Sequence, residues 1–272
     1  MKQYTKLFVI AIVAMLTMLS CTPYKKVLKS NDNELKKEAA LRYYEEESYL
    51  KCITLLDDIL EFYKLTEEGE HISYIYCLAN YKMEDYYLSG YYFKRFIRRY
   101  PSSKHVEEAL FLSALCSVKN SPEYRLDQTE TYNALDQMQI FIDQYPNSNR
   151  IDTCNQIMDD LRGKLELKQY EYAHLYYKTE RYKAAVVALN ETLVKFPESK
   201  YKEEIYYLLV KSKYQLAINS INDKKLKRLD DTIKSYRTFV TQFPDSKALN
   251  ELKQLNNKAE AEKELFKLEG AK

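Results

Sequence analysis

Glycine is scarce in this 272-residue chain: there are four, at positions 69, 90, 163 and 270, each standing alone, and no tryptophan. The glycine-rich loops that cradle nucleotide phosphates are thereby excluded. Histidine is nearly as rare. His71, His105 and His174 are scattered and no Cys-x-x-Cys occurs, so no metal set can be assembled from the sequence. Nor is there a nucleophile elbow or a Ser/His/Asp constellation, and the chain reads as a non-enzyme without a cofactor. The acidic run Glu45-Glu46-Glu47 fits a solvated helix end better than a paired-carboxylate site.

Proline is also sparse, six in all, but four of the six recur in one setting. An aromatic-Pro-x-Ser tetrapeptide ends an amphipathic helical segment at Tyr100-Pro101-Ser102-Ser103, Tyr145-Pro146-Asn147-Ser148, Phe196-Pro197-Glu198-Ser199 and Phe243-Pro244-Asp245-Ser246. The prolines lie 45, 51 and 47 residues apart, and each stops a helix because it lacks the N–H donor. The aromatic can pack back on its own repeat, and the serine is placed to cap the first N–H groups of the next helix. Stacked helical repeats present long surfaces rather than closed pockets, so holding a partner is favoured over converting a substrate.

Counting back from each proline gives a common register. A small residue recurs as Cys52, Ser89, Ala134, Ala185 and Thr232; a large one four residues later as Leu56, Phe93, Met138, Leu189 and Tyr236; a third core position as Ile59, Phe96, Phe141, Thr192 and Phe239. In the fourth unit Ala173, Tyr176, Tyr182, Ala185, Leu189 and Pro197 stand at the spacing of the tetratricopeptide repeat, and the chain resembles that family. Five repeats result, the first with Lys64 in place of its proline. The units exceed the usual length of about 34 residues. The excess is expected between helices at Lys119–Thr129 and Asn219–Asp231, and in a helical stretch Ile151–Lys168 before the fourth consensus. A last helix, about Ala248–Leu268, suits a cap. The fold class is all-α, an α-solenoid of about five tetratricopeptide-like helix pairs with a C-terminal capping helix.

At the N-terminus Lys2 and Lys6 precede a 13-residue apolar run, Leu7 to Leu19, followed by Ser20 and Cys21. The run is too short to span a bilayer and reads as an export signal. Met18-Leu19-Ser20-Cys21 resembles the bacterial lipobox, with Met18 where leucine is usual and Leu19 where serine or alanine is usual. That resemblance implies lipidation at Cys21, and two or more acyl chains would hold the chain stably at a membrane. The expected organisation is a signal at 1–20, a lipidated tether at 21–33, repeats at 34–247 and the capping helix and tail at 248–272. Losing Lys2 and Lys6 brings the 42 basic residues to 40, matching the 40 acids, and a neutral body argues against nucleic acid. Cys52, Cys77, Cys116 and Cys154 sit inside apolar helical patterns as buried thiols; if a disulfide formed, Cys52 with Cys77 would be the pair.

An exported lipoprotein of five long repeats, whose joints lead into helices such as Ser103-Lys104-His105-Val106-Glu107-Glu108-Ala109 and Ser199-Lys200-Tyr201-Lys202-Glu203-Glu204-Ile205, resembles the BamD-like outer-membrane protein assembly lipoproteins. The resemblance covers nearly the whole chain from Cys21 and rests on architecture and repeat phasing. It implies a lipid-anchored scaffold at the outer membrane facing the periplasm. There it would bind the POTRA domains of the barrel assembly subunit through its C-terminal half and unfolded β-barrel proteins through its N-terminal half. The docking candidates are Lys224, Lys225, Lys227 and Arg228, a basic run that could equally be a solvated loop. The substrate-groove candidates are Leu41, Tyr44, Tyr74, Leu78 and Tyr81, tyrosines that could equally pack between repeats. The alternative is another periplasmic repeat module that coordinates the envelope or cell division, similar to the Tol-Pal associated factor, for which lipidation at Cys21 is not expected. A SusD-like nutrient-binding lipoprotein would need a large additional region.

Overall fold

The computed structural model describes residues 23–64 and 66–270, and among them every regular element is a helix. A short helix, α1 (Pro23–Leu28), precedes five antiparallel pairs: α2 (Asn33–Glu45) with α3 (Tyr49–Tyr63), α4 (Glu67–Lys82) with α5 (Tyr86–Arg99), α6 (Val106–Asn120) with α7 (Thr129–Gln144), α8 (Ile151–Lys178) with α9 (Tyr182–Lys195), and α10 (Lys202–Ile218) with α11 (Asn222–Gln242). A final helix, α12 (Leu249–Gly270), covers the last pair. The chain divides into two compact units. The N-terminal unit holds the chain up to Pro122 together with Asp127–Met158; the C-terminal unit holds Glu123–Leu126 and the chain from Asp159 on.

The register read from the prolines is the packing register. All five small positions are fully buried on the second helix of each pair, as are the large residues Leu56, Phe93, Met138 and Leu189. Tyr236 is the exception and is half-buried. Ile59, Phe96, Phe141, Thr192 and Phe239 complete the row, and burying an apolar side chain of this size contributes about 1.5–3 kcal/mol.

Each joint is a clasp. The proline occupies the second position of a turn closed by the serine N–H on the aromatic's carbonyl, at 3.0 Å for Ser103 and Ser148, 3.1 Å for Ser199 and 3.2 Å for Ser246. The serine Oγ accepts from the backbone N–H two residues on, that of His105, Arg150, Tyr201 or Ala248, at 3.0–3.2 Å. These residues precede their helices, so the serine closes an ST turn just ahead of the helix instead of capping its first turn. The same hydroxyl donates to a glutamate on the first helix of the pair just ended: Ser103 to Glu70 at 2.7 Å, Ser148 to Glu107 at 2.6 Å, Ser199 to Glu166 at 2.5 Å and Ser246 to Glu203 at 2.6 Å. One hydroxyl thus fixes the first helix of one pair against the start of the next.

Rings close three of these clasps. His105 stacks on Tyr74 at 4.2 Å, the Arg150 guanidinium lies 5.2 Å from the Phe111 ring, and Tyr201 stacks on Tyr170 at 4.3 Å. Each covered ring lies four residues after its glutamate, one helical turn on. The joint aromatics pack back on the third core position, with centroids 5.4 Å apart for Tyr100 and Phe96, 5.6 Å for Tyr145 and Phe141, and 5.2 Å for Phe243 and Phe239. Where the first pair lacks a proline, the Thr66 side chain accepts from the Gly69 N–H at 3.1 Å and the Tyr100 hydroxyl donates to the Lys64 carbonyl at 3.0 Å. A Cβ at Gly69 would lie 2.0 Å from the Tyr63 carbonyl oxygen, which is why the first turn of α4 carries a glycine.

Two local expectations are revised. The stretch Asn219–Asp231 is helical from Asn222 on, not a loop. Leu226, Leu229 and Ile233 fall at spacings of three and four, and lysine and arginine are good helix formers, so the basic run extends α11 by two turns. Pro23–Leu28, within the expected tether, forms α1 and buries Val27 against the first pair. The connection between Lys119 and Thr129 and the long helix ahead of the fourth consensus lie where expected.

Candidate functional site

Within the N-terminal unit the first helices of successive pairs share one face, which is aromatic and apolar. Leu41 and Tyr44 of α2 are half-buried against the first core cluster, Leu78 of α4 bridges the first and second clusters, and Tyr81 packs on the second. Tyr44 leans edge-on against Tyr49 at 5.7 Å and Tyr81 against Tyr86 at 5.5 Å, which leaves part of each ring exposed. Tyr74 differs: it is 6% exposed, packed on Phe93, Phe96 and His105. Burial, then the facing Glu108 carboxylate and its neighbour Tyr44, push the Tyr74 phenol up. Tyr44 is likewise raised, chiefly by burial.

In the C-terminal unit the corresponding face is tyrosine-rich and charged. Lys211 Nζ lies 5.9 Å from the Tyr177 ring and 4.8 Å from that of Tyr207, donates to the Tyr207 hydroxyl at 2.8 Å, and pairs with Glu251 of α12 at 2.9 Å. Burial alone would lower the Lys211 pKa, but the Tyr207 and Glu251 bonds outweigh it and hold the amine above its ordinary value. Glu251 is held below the usual carboxylate range, first by Lys211. His174 lies between Tyr170 and Tyr177 on the same helix, with ring centroids 5.6 and 6.4 Å away. Sequence reasoning did not single out His174, Tyr177, Lys211 or Glu251. Their signal is positional: Tyr170, His174 and Tyr177 follow the clasp residue Glu166 by four, eight and eleven residues, as Tyr74, Leu78 and Tyr81 follow Glu70.

The basic candidates sit on the first two turns of α11. Lys225 pairs with Glu262 of α12 at 3.1 Å and Arg228 donates to the Ser220 hydroxyl at 2.5 Å, whereas Lys224 and Lys227 are exposed. Cys21 lies outside the described residues. Cys52, Cys77, Cys116 and Cys154 are free, buried thiols, and burial pushes Cys52 up to about 12 and Cys116 up to about 11, which keeps them protonated and unreactive. Among the described residues no group of three or more His, Cys, Asp or Glu side chains is placed to hold a metal ion.

The family model YfiO, described as outer membrane lipoprotein, matches residues 30–204 and 166–266. The chain belongs to this outer membrane lipoprotein family. A curated relative from Aquifex aeolicus (strain VF5), provisionally named outer membrane protein assembly factor BamD, is 24% identical over 203 residues. The match covers 74% of this chain and 66% of that relative, just under two thirds of its length. Membership in this BamD-like family carries the outer-membrane lipoprotein character, and no described helix is long and apolar enough to cross a membrane.

Proposed function

We propose that this chain is a non-enzymatic, periplasm-facing scaffold of outer-membrane β-barrel assembly, anchored through acyl chains on Cys21. The N-terminal unit receives unfolded β-barrel segments, and the C-terminal unit docks the POTRA-bearing barrel subunit. The observation that carries the reading is the partly open aromatic face of Leu41, Tyr44, Leu78 and Tyr81. Barrel strands alternate apolar and polar residues and carry aromatics at the membrane interface, so an extended segment can lay its side chains on these rings, which have few rotamers to lose. Tyr74 supports that face from below because its ring is committed to His105, Phe93 and Phe96. On the C-terminal unit Lys224 and Lys227 are the free cations of the basic helix end and the natural contacts for an acidic partner surface.

Co-purification from detergent-solubilised outer membrane tests the assignment. A barrel protein with POTRA domains should be recovered with the chain, and Lys224→Glu with Lys227→Glu should weaken that recovery in a salt-dependent way. Recovery of envelope-coordination or cell-division proteins without any POTRA-bearing partner would overturn it.

A further inference from the structure

Consecutive helices of the N-terminal unit run antiparallel, so its turns fall on two opposite edges. One edge carries the joints; the other carries the turns within pairs, around Glu47, Glu84 and the start of α7. The second edge holds a row of exposed apolar or aromatic side chains that the described residues leave uncovered: Leu50, Met83, Tyr87, Leu88 and Tyr132, with Leu50 65% and Tyr87 68% exposed. The Tyr87 hydroxyl donates to Glu130 at 3.2 Å, which brings the starts of α5 and α7 side by side on this edge.

The start of the described chain lies at the same edge. The Tyr24 ring packs edge-on against Tyr43 at 5.7 Å, and Lys51 Nζ reaches both rings, at 6.0 and 4.9 Å. Tyr43 is near the end of α2 and Lys51 near the start of α3, so α1 opens beside the turn between them. Cys21 precedes Pro23 by two residues, and two residues span at most about 8 Å. A lipid on Cys21 must therefore enter the bilayer close to this edge.

We propose that the edge carrying Leu50, Met83, Tyr87, Leu88 and Tyr132 is a membrane-contacting surface that rests on the lipid headgroup and upper acyl region. The anchor brings the edge to the bilayer, and side chains with apolar bodies and, for tyrosine, polar tips are those that settle at that depth. Charge neither drives nor forbids the contact: Lys25, Lys26, Lys29, Lys51 and Lys82 are offset by Glu45, Glu46, Glu47, Glu84 and Asp85. Apolar insertion supplies the attraction, and the contact should survive high salt. The joints, at the opposite edge, face away from the lipid. The proposal rests on lipidation at Cys21, so the test must separate the two.

The chain has no tryptophan, so one introduced indole is a sole reporter. The membrane-extracted full chain carrying Leu50→Trp, Tyr87→Trp or, as the joint-edge control, Phe62→Trp would be reconstituted into phosphatidylcholine vesicles with and without dibrominated lipid, and the state of Cys21 read by mass. Emission at positions 50 and 87 should fall about twofold with brominated lipid and shift to the blue, in low and in high salt, while position 62 stays unchanged. Emission at 50 and 87 as insensitive as that at 62 overturns the proposal whatever Cys21 carries. Quenching at 50 and 87 with an unmodified Cys21 supports the edge and overturns the anchor alone.

Discussion

The two units use one clasp and one register but dress the corresponding face of each differently. Four, eight and eleven residues after the clasp glutamate, the N-terminal unit presents Tyr74, Leu78 and Tyr81, then Phe111, Leu115 and Val118. The C-terminal unit presents Tyr170, His174 and Tyr177, then Tyr207, Lys211 and Tyr214. The aromatic position completes the joint at Tyr74, Phe111 and Tyr170, and at Tyr207 it holds Lys211 and Glu251 instead. The middle position is free to vary, and it changes from leucine to histidine and lysine. A serine and a glutamate therefore recur at every joint, while the residue eight after the glutamate differs between the units.

The largest contrast should come from the third core position, which is Phe141 in the third pair and Thr192 in the fourth. Phe141 is fully buried, with Phe111 at 5.4 Å and Tyr145 at 5.6 Å. Phe141→Ala should cost about 3–5 kcal/mol in the N-terminal unit. Thr192 contributes a hydroxyl that donates back to the Ala188 carbonyl at 2.8 Å, and Thr192→Ala should cost about 1 kcal/mol. Urea unfolding with hydrogen exchange resolved by helix would read both, and equal losses would mean that the two cores are built alike.

The clasp should behave oppositely, with no contrast between units. Ser148→Ala and Ser199→Ala each remove a hydroxyl held between a carboxylate and a backbone N–H, and each should lower stability by about 1–2 kcal/mol. The same experiment checks this. A loss in one unit alone would show that the clasp is incidental in the other.

A smaller effect separates the units by pH. Glu251 has a lowered folded pKa, so its contribution to the C-terminal unit is present above the usual carboxylate range and is lost as pH falls through the lowered value. Lys211 has a raised folded pKa, so its contribution is full below the usual lysine range and is lost only as pH rises through the raised value. Glu251→Gln should flatten the acid limb of the C-terminal unit's stability curve and leave that of the N-terminal unit unchanged, as measured by helix-resolved hydrogen exchange against pH.

Much of this arrangement is legible in the sequence. Proline and the small-large-large spacing locate all five pairs, because backbone chemistry and close helix approach tolerate few substitutes at those positions. The clasp glutamates were harder to see, since glutamate is common on helix surfaces and only the distance to the serine across a whole pair singles them out. Ser103 with Glu107 and Ser199 with Glu203, each four residues apart, show the pattern running from one joint to the next. The basic start of α11 reads as a loop in the sequence because charge masks the Leu226, Leu229 and Ile233 stripe. Tyr74 illustrates the remaining difficulty. Its spacing matches that of the open face, but His105, brought in by the clasp, covers its ring.

The most direct test of a division between an apolar face proposed to hold substrate and a charged one is crosslinking of the full chain to a peptide from the last strand of an outer-membrane barrel. Tyr44→Ala with Tyr81→Ala should abolish crosslinking while the thermal midpoint stays within about 5 °C, and Tyr177→Ala on the other unit should leave crosslinking intact. Retained crosslinking in the double variant, or a large fall in the midpoint with no selective loss of binding, would contradict the account and return these tyrosines to a packing role.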